Sequence, residues 1–143
     1  MGQFVNLTAA DGVSFPAYVA LPTGTPKGGL VVLQEIFGVN SHIRSVADGY
    51  AAEGYFVVAP STFHRVQAGV ELGYTEADMG SGMALKAAVE ALPVPGVLAD
   101  IQAASDAKEI VLTGVHLGSW GHDLGGGLHL RDLVRMILEH TAT

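Results

Sequence analysis

The segment Leu30–Asn40, LVVLQEIFGVN, constrains the fold of this chain more than any other. An apolar run from Leu30 ends at the polar Gln34, with Gly28-Gly29 before it and the turn residue Gly38 after it. Such a short run predicts a strand buried on both faces, as found in the middle of a parallel sheet. Glu35 would then lie at the carboxyl edge of the sheet, where open α/β sheets bind their ligands. Glu35 is therefore a candidate functional residue, or a carboxylate satisfied by neighbouring loop amides.

Length and charge exclude several classes of function. The chain has 143 residues, which predicts a single domain over 1–143, and a net charge of −7, which argues against nucleic acid and anionic membranes as partners. The absence of cysteine excludes disulfides, thiolate catalysis and cysteine-ligated metal clusters. No apolar stretch reaches the roughly 20 residues of a membrane span, and no secretory pattern opens the chain. We expect a cytoplasmic protein without a cofactor.

Turn and cap residues divide the rest of the chain into further elements. Asp11-Gly12 lies between two strand-like segments and predicts an antiparallel hairpin. Asn40 and Thr75 are suitable helix N-caps, and we expect the helix after Thr75 to fray or break at Gly80 and Gly82. The predicted strands are 3–8, 13–20, 30–34, 55–59 and 109–114, and the predicted helices are 41–53, 75–92, 96–104 and 129–140.

Much of the chain resembles the dienelactone hydrolase (carboxymethylenebutenolidase) family of α/β-hydrolases. The resemblance covers 1–104 and is most specific at QEIFGVN. The matching segments are VVLQEIFGVN (31–40), HIRSVADGYAAEGYFVVAP (42–60), FHRVQAGVELGY (63–74), DMGSGMALKAAVEAL (78–92) and DIQAA (100–104). The resemblance implies the local strand order 1-2-4-3-5 with the Leu30 strand in the centre.

The end of the chain departs from that family. The family has a Gly-x-Cys-x-Gly-Gly nucleophile motif and then an Asp and a His that complete a triad, none of which is present here. Residues 108–139 instead resemble a barrel segment of radical-SAM tRNA methylthiotransferases, but without that family's Cys-x-x-x-Cys-x-x-Cys motif. These resemblances predict an engineered or recombined chimera, with a hydrolase-like part (1–104), a junction (105–107) and a grafted βα unit (108–143).

The predicted fold is a three-layer α/β sandwich. Its sheet is mostly parallel and five-stranded, in the order 1-2-4-3-5, with an antiparallel N-terminal strand. It would be a truncated α/β-hydrolase core completed by a foreign βα unit. Because both parent folds use a buried strand, a Gly-rich turn and a covering helix, one βα unit could replace the other.

His116 is the candidate catalytic residue beside Glu35. Gly114-Val115-His116-Leu117-Gly118 has the spacing of a hydrolase nucleophile elbow, with His where the family has Cys. An imidazole can serve as a weak acyl acceptor or a general base, oriented by Glu35. The alternative is a loop histidine with this spacing by chance. Candidate substrate-binding residues are Gln34, Ile36, His64 and Arg65, since an arginine suits a carboxylate substrate.

Two other kinds of site have weak support. His116, His122, Asp123 and His129 lack the helical i, i+4 spacing of a strong metal signal, so we expect no metal. The glycines between Gly114 and Gly127 fit neither phosphate-binding fingerprint.

The predicted function follows from the missing triad. The first hypothesis is that no evolved activity survives, which favours a protein that is not an enzyme but leaves the question open. The alternatives are a weak esterase or lactonase using His116 and Glu35, with loop amides as oxyanion donors, or a module that binds small carboxylates. Because the Glu109–Gly114 strand would be an exposed apolar edge, we also expect a homodimer or domain swap through this strand and the C-terminal helix.

Overall fold

A computed structural model describes residues 1–106 and 110–113. The strands are β1 (Gln3–Thr8), β2 (Ser14–Ala20), β3 (Gly29–Val32), β4 (Phe56–Pro60) and β5 (Ile110–Thr113), and the helices are α1 (Ser41–Ala52), α2 (Glu76–Glu90) and α3 (Val97–Ala104). The strands form one mixed sheet in the order β1-β2-β4-β3-β5. β3 is parallel to both of its neighbours, and β2 is antiparallel to both β1 and β4.

β3 is buried on both faces because helices cover both sides of the sheet. Leu30 and Val32 pack in one apolar cluster with Ile43 and Ala47 of α1. Val31 points to the opposite face, where a second cluster includes Ala99 of α3. Helix, sheet and helix therefore form three layers in this part of the chain, and the predicted α/β hydrolase-like fold is confirmed. The predicted foreign unit, 108–143, falls mostly outside the described residues.

The caps predicted at two helix starts are present. The Asn40 side chain accepts a hydrogen bond from the Ile43 amide at 3.2 Å and begins α1. Thr75 and Asp78 form a reciprocal capping box, in which the Thr75 hydroxyl accepts from the Asp78 amide and the Asp78 carboxylate accepts from the Thr75 amide. Both caps satisfy amides that have no partner within the helix.

α2 is continuous across both of its glycines, so the predicted break is wrong. Gly82 is the buried residue of α2, and a β-carbon added there would meet the Ile36 carbonyl. The missing side chain lets the helix approach the loop after β3. Gly80 faces open space, with no atom within 4 Å of its virtual β-carbon. No helix among the described residues is long and apolar enough to cross a membrane.

These two glycines provide a matched pair of substitutions. We expect Gly82→Ala to lower the free energy of unfolding by about 1–3 kcal/mol, because the added methyl group pushes α2 away from Ile36. We expect Gly80→Ala to raise it by roughly 0.5–1 kcal/mol through helix propensity. Urea denaturation followed by circular dichroism measures both, and equal effects of the two substitutions would contradict the close approach at Gly82.

Candidate functional site

The loop that follows β3, residues 33–40, is held in a fixed conformation by backbone contacts. Glu35 and Gly38 form a β-bridge that closes a tight turn, and Gly38 forms a second bridge to Glu71. Gly38 has φ +80°, and a β-carbon there would meet the Val70 carbonyl. Position 38 therefore needs glycine for both its backbone angle and the available space.

Gln34 links the ends of two neighbouring strands. Its side-chain Oε1 accepts a hydrogen bond from the Thr62 amide at 3.0 Å, just after β4. Its Nε2 donates to the Glu35 carbonyl at 3.2 Å. The side chain therefore fixes the peptide of Glu35 relative to the β4 exit, which is a positioning role. Its predicted role in substrate binding stays a prediction.

Residues 71–74 form the opposite wall of this loop. The Leu72 amide donates to the Phe37 carbonyl at 2.8 Å. Asn40 donates from its Nδ2 to the Leu72 carbonyl and to the Tyr74 hydroxyl, both at 3.2 Å. The rings of Phe37 and Tyr74 meet edge to face with centroids 4.6 Å apart. The Asn40 side chain thus caps α1 and also binds residues 72 and 74 by hydrogen bonds.

The Glu35 carboxylate has no hydrogen-bond or ion-pair partner among the described residues, and its side chain is half-buried. Ile36 packs its carbonyl against Gly82, as described above. The structure therefore brings Gln34, Glu35 and Ile36 together at the carboxyl end of β3, where sequence reasoning predicted a site.

His64 lies in the loop after β4. Its backbone amide donates to the Ser61 carbonyl at 3.2 Å. Its Nδ1 is buried and, among the described residues, has no hydrogen-bond partner. Its predicted contact with substrate stays a prediction.

Arg65 binds two carboxylates of the protein. Its Nε and Nη2 donate to Asp100 at 2.8 and 2.7 Å, and its Nη1 and Nη2 donate to Asp11 at 2.7 and 3.1 Å. Asp100 is fully buried in α3, whereas the side chain of Asp11 keeps 32% of its surface exposed in the β1–β2 turn. We name these three residues the arginine clamp. It joins the hairpin turn, the β4 exit and α3.

The clamp shifts the titration of its members. Hydrogen bonding to Asp100, and then to Asp11, raises the pKa of Arg65 above its usual range. Hydrogen bonding from Arg65 is the main reason that the pKa of Asp11 is lowered. Four of the five guanidinium N–H groups are engaged, so this arginine has little free capacity for the substrate carboxylate predicted from the sequence.

Sequence reasoning missed the clamp, although it carried a signal. Asp100 is the one acidic residue in the apolar helix segment VLADIQAA. A buried carboxylate needs a charged partner, so an isolated aspartate in such a helix indicates an ion pair.

The remaining predicted site residues lie outside the described part of the chain. These are His116 with its glycine-flanked turn, and His122, Asp123 and His129, whose spacing gives only weak support for a metal site. Within residues 1–106 and 110–113, no three acidic or histidine side chains are grouped so that they could hold a metal ion.

Together, the fold and the loop at the end of β3 define an α/β hydrolase-like protein. The profile of the Dienelactone hydrolase family matches residues 15–133. The chain belongs to the dienelactone hydrolase family.

Relatives with names from the same family support this assignment. A provisionally named carboxymethylenebutenolidase of Azospirillum brasilense is 48% identical over 69 residues, covering 48% of this chain and 30% of the relative. One from Synechocystis sp. is 37% identical over 105 residues, covering 69% of this chain and 43% of the relative. The chain therefore spans less than half the length of these relatives.

A crystal structure of a provisionally named dienelactone hydrolase from Klebsiella pneumoniae shares the fold. It is 27% identical, has a TM-score of 0.60 and matches 80% of this chain and 49% of its own. A dienelactone hydrolase-like promiscuous phosphotriesterase from metagenomic libraries, 19% identical with a TM-score of 0.51, matches 78% of this chain and 47% of its own. At this level of identity, the similarity to the phosphotriesterase shows a shared fold only.

These comparisons correct two predictions. The family profile continues through the supposed junction at 105–107 to residue 133, so a chimeric origin and a radical-SAM segment have no support. The prediction of a catalytically inert chimera is contradicted, because the chain is a member of a hydrolase family. The error arose because a buried strand, a glycine-rich turn and an amphipathic helix are common to many α/β folds.

The buried half of the arginine clamp should dominate its contribution to stability. We expect Asp100→Asn to lower the free energy of unfolding by about 3 kcal/mol, because it leaves the mostly buried Arg65 without its main counter-charge. Asp11→Asn removes the partly exposed carboxylate that binds the same guanidinium. It should lower the free energy of unfolding clearly less. Urea denaturation of both variants at neutral pH measures the difference, and equal losses would contradict the assignment of Asp100 as the principal partner.

Proposed function

We propose that this chain supports hydrolysis of a carboxylic ester or lactone at the carboxyl end of β3. The observation that carries the proposal is the position of Glu35, in a rigid loop at the sheet edge of a dienelactone hydrolase family member. The names of the relatives point to a butenolide, a five-membered unsaturated lactone, as the substrate class. The chain spans less than half the length of these relatives. The activity of the whole protein is therefore also part of this proposal.

His116 is proposed as the base and Glu35 as the group that orients it. In this mechanism the imidazole takes a proton from water while the water oxygen forms a bond to the acyl carbon. Collapse of the tetrahedral intermediate breaks the bond between the acyl carbon and the leaving oxygen. The imidazolium then returns the proton to that oxygen. A carboxylate beside the ring stabilises the imidazolium and fixes its orientation.

The rigid loop supports the orienting role of Glu35. Gln34 holds the Glu35 peptide from the β4 side, and the Glu35–Gly38 bridge holds it from within the loop. A carboxylate on a backbone fixed at two points loses less freedom when it aligns a partner. Its lack of a described partner leaves it available for that role.

Steady-state hydrolysis of p-nitrophenyl acetate and of a carboxymethylene-substituted butenolide tests this proposal. We expect His116→Ala and Glu35→Gln each to lower kcat/KM at least tenfold, about 1.4 kcal/mol of transition-state stabilisation. Circular dichroism and thermal unfolding verify that each variant is folded.

His42→Ala is the matched control. His42 is exposed in α1, and any exposed imidazole hydrolyses activated esters slowly. The control should therefore keep the wild-type rate on the butenolide and nearly so on the ester. If all three variants and the wild type have the same rate, neither residue acts in catalysis. Saturable butenolide binding with no turnover would instead indicate a binding module.

We also propose that two copies associate through β5 and the C-terminal segment. β5 lies at one end of the sheet order and pairs with β3, so its other edge has no partner among the described strands. An open edge of apolar sequence, Ile110–Thr113, can accept a further strand. The cytoplasmic location stays a prediction.

Size-exclusion chromatography with light scattering tests this association. We expect twice the chain mass of 14.8 kDa at micromolar concentration, and a shift toward the single-chain mass on dilution. A monomer at all concentrations in the wild type would refute the proposal.

A further inference from the structure

A cleft of about 420 Å³ lies at the solvent side of the arginine clamp. Its volume falls within the range of sites for small molecules. One wall is polar and the other is apolar, and the lining residues are Asp11, Val13, Arg65 and the α2–α3 connection from Leu92 to Gly96. None of them belongs to the loop of residues 33–40 that carries Glu35.

The polar wall is the exposed part of an ion-pair network that has an excess of negative charge. Arg65 supplies one positive charge, and Asp11 and Asp100 supply two negative ones, which leaves the clamp with a net charge of −1. The pKa of Asp11 is lowered by its bond to Arg65, so Asp11 stays ionised at neutral pH. Of these three residues, Asp11 and Arg65 line the cleft, whereas Asp100 is buried with 0% exposure, so the anionic group that faces a ligand is Asp11.

The arginine offers little to an anion. Four of its five N–H groups already bind Asp11 and Asp100. Asp11 retains free acceptor capacity, because its Oδ2 receives one hydrogen bond whereas its Oδ1 receives those of Arg65 and the Val13 amide. The free hydrogen-bonding capacity of this wall thus suits a donor with positive charge.

The apolar wall suits the body of such a ligand. Leu92, Pro93, Val94 and Pro95 form a continuous apolar stretch, and Val94 is 86% exposed. A surface proline has little conformational freedom to lose when a ligand packs on it. Val13 completes the apolar lining on the hairpin side.

We propose that this cleft binds small organic cations, with an ammonium or amidinium group on Asp11 and an apolar body against Leu92–Pro95. Nothing in the proposal depends on hydrolysis by Glu35 or His116. The site would take the cation as a bound ligand, without covalent change.

Titration of the isotope-labelled chain with benzamidine, followed by NMR, tests the proposal. Benzoate and benzyl alcohol are the matched anionic and neutral probes of the same size. We expect saturable benzamidine shifts at residues 11–13 and 92–96, and at least tenfold weaker binding of the other two probes.

Two variants and one control test the role of charge at the cleft. Asp11→Asn removes the anchoring charge, and Val94→Lys places a positive charge on the exposed rim without touching the clamp. Each should weaken benzamidine binding at least tenfold, whereas Glu53→Gln, which removes an exposed charge at the end of α1, should change it less than twofold. Absent or non-saturable shifts, a preference for benzoate, or unchanged binding in Val94→Lys would each overturn the proposal.

Discussion

The ion pair between Arg65 and Asp100 connects parts of the chain that no other polar contact joins in the described structure. A carboxylate with 0% exposure is costly to ionise, and here two hydrogen bonds from one guanidinium offset that cost. The second carboxylate, Asp11, extends the interaction to the hairpin turn. The turn, the β4 exit and α3 are thereby held in one arrangement.

The loop after β3 is organised differently, by close backbone approach. Gly38 and Gly82 let two neighbouring segments come within contact of the loop, where a larger residue would collide with a carbonyl. Gln34 and Asn40 then tie the loop to those segments by side-chain hydrogen bonds. A carboxylate carried on such a loop has a defined position before any ligand arrives, which is what pre-organised sites require.

The sequence was informative where local chemistry decides the structure. The buried run from Leu30, the caps at Asn40 and Thr75 and the Asp11-Gly12 turn all predicted elements that are present, because each depends on neighbouring residues. Predictions failed where a distant segment decides. Gly82 looks like a helix breaker until the Ile36 carbonyl is placed against it. The ion-pair partners of Arg65 are likewise distant along the chain, so its neighbours in sequence did not indicate them, and its role in substrate binding stays a prediction. Pro16 has no amide to donate to a sheet, yet β2 is an inner strand, and Pro16 is tolerated because the β2–β4 pairing starts at Ala17.

The strand order also has a consequence for how the chain acquires its structure during synthesis. β4 lies between β2 and β3 in space but follows both along the chain. The hairpin of β1 and β2 can pair early. The second neighbour of β2 is synthesised only about 40 residues later, and both neighbours of β3 follow it along the chain. Non-local pairing of this kind slows folding and leaves apolar strands uncovered until the partner arrives. The emergence of Phe56–Pro60 is therefore the point at which the nascent chain can first close its sheet.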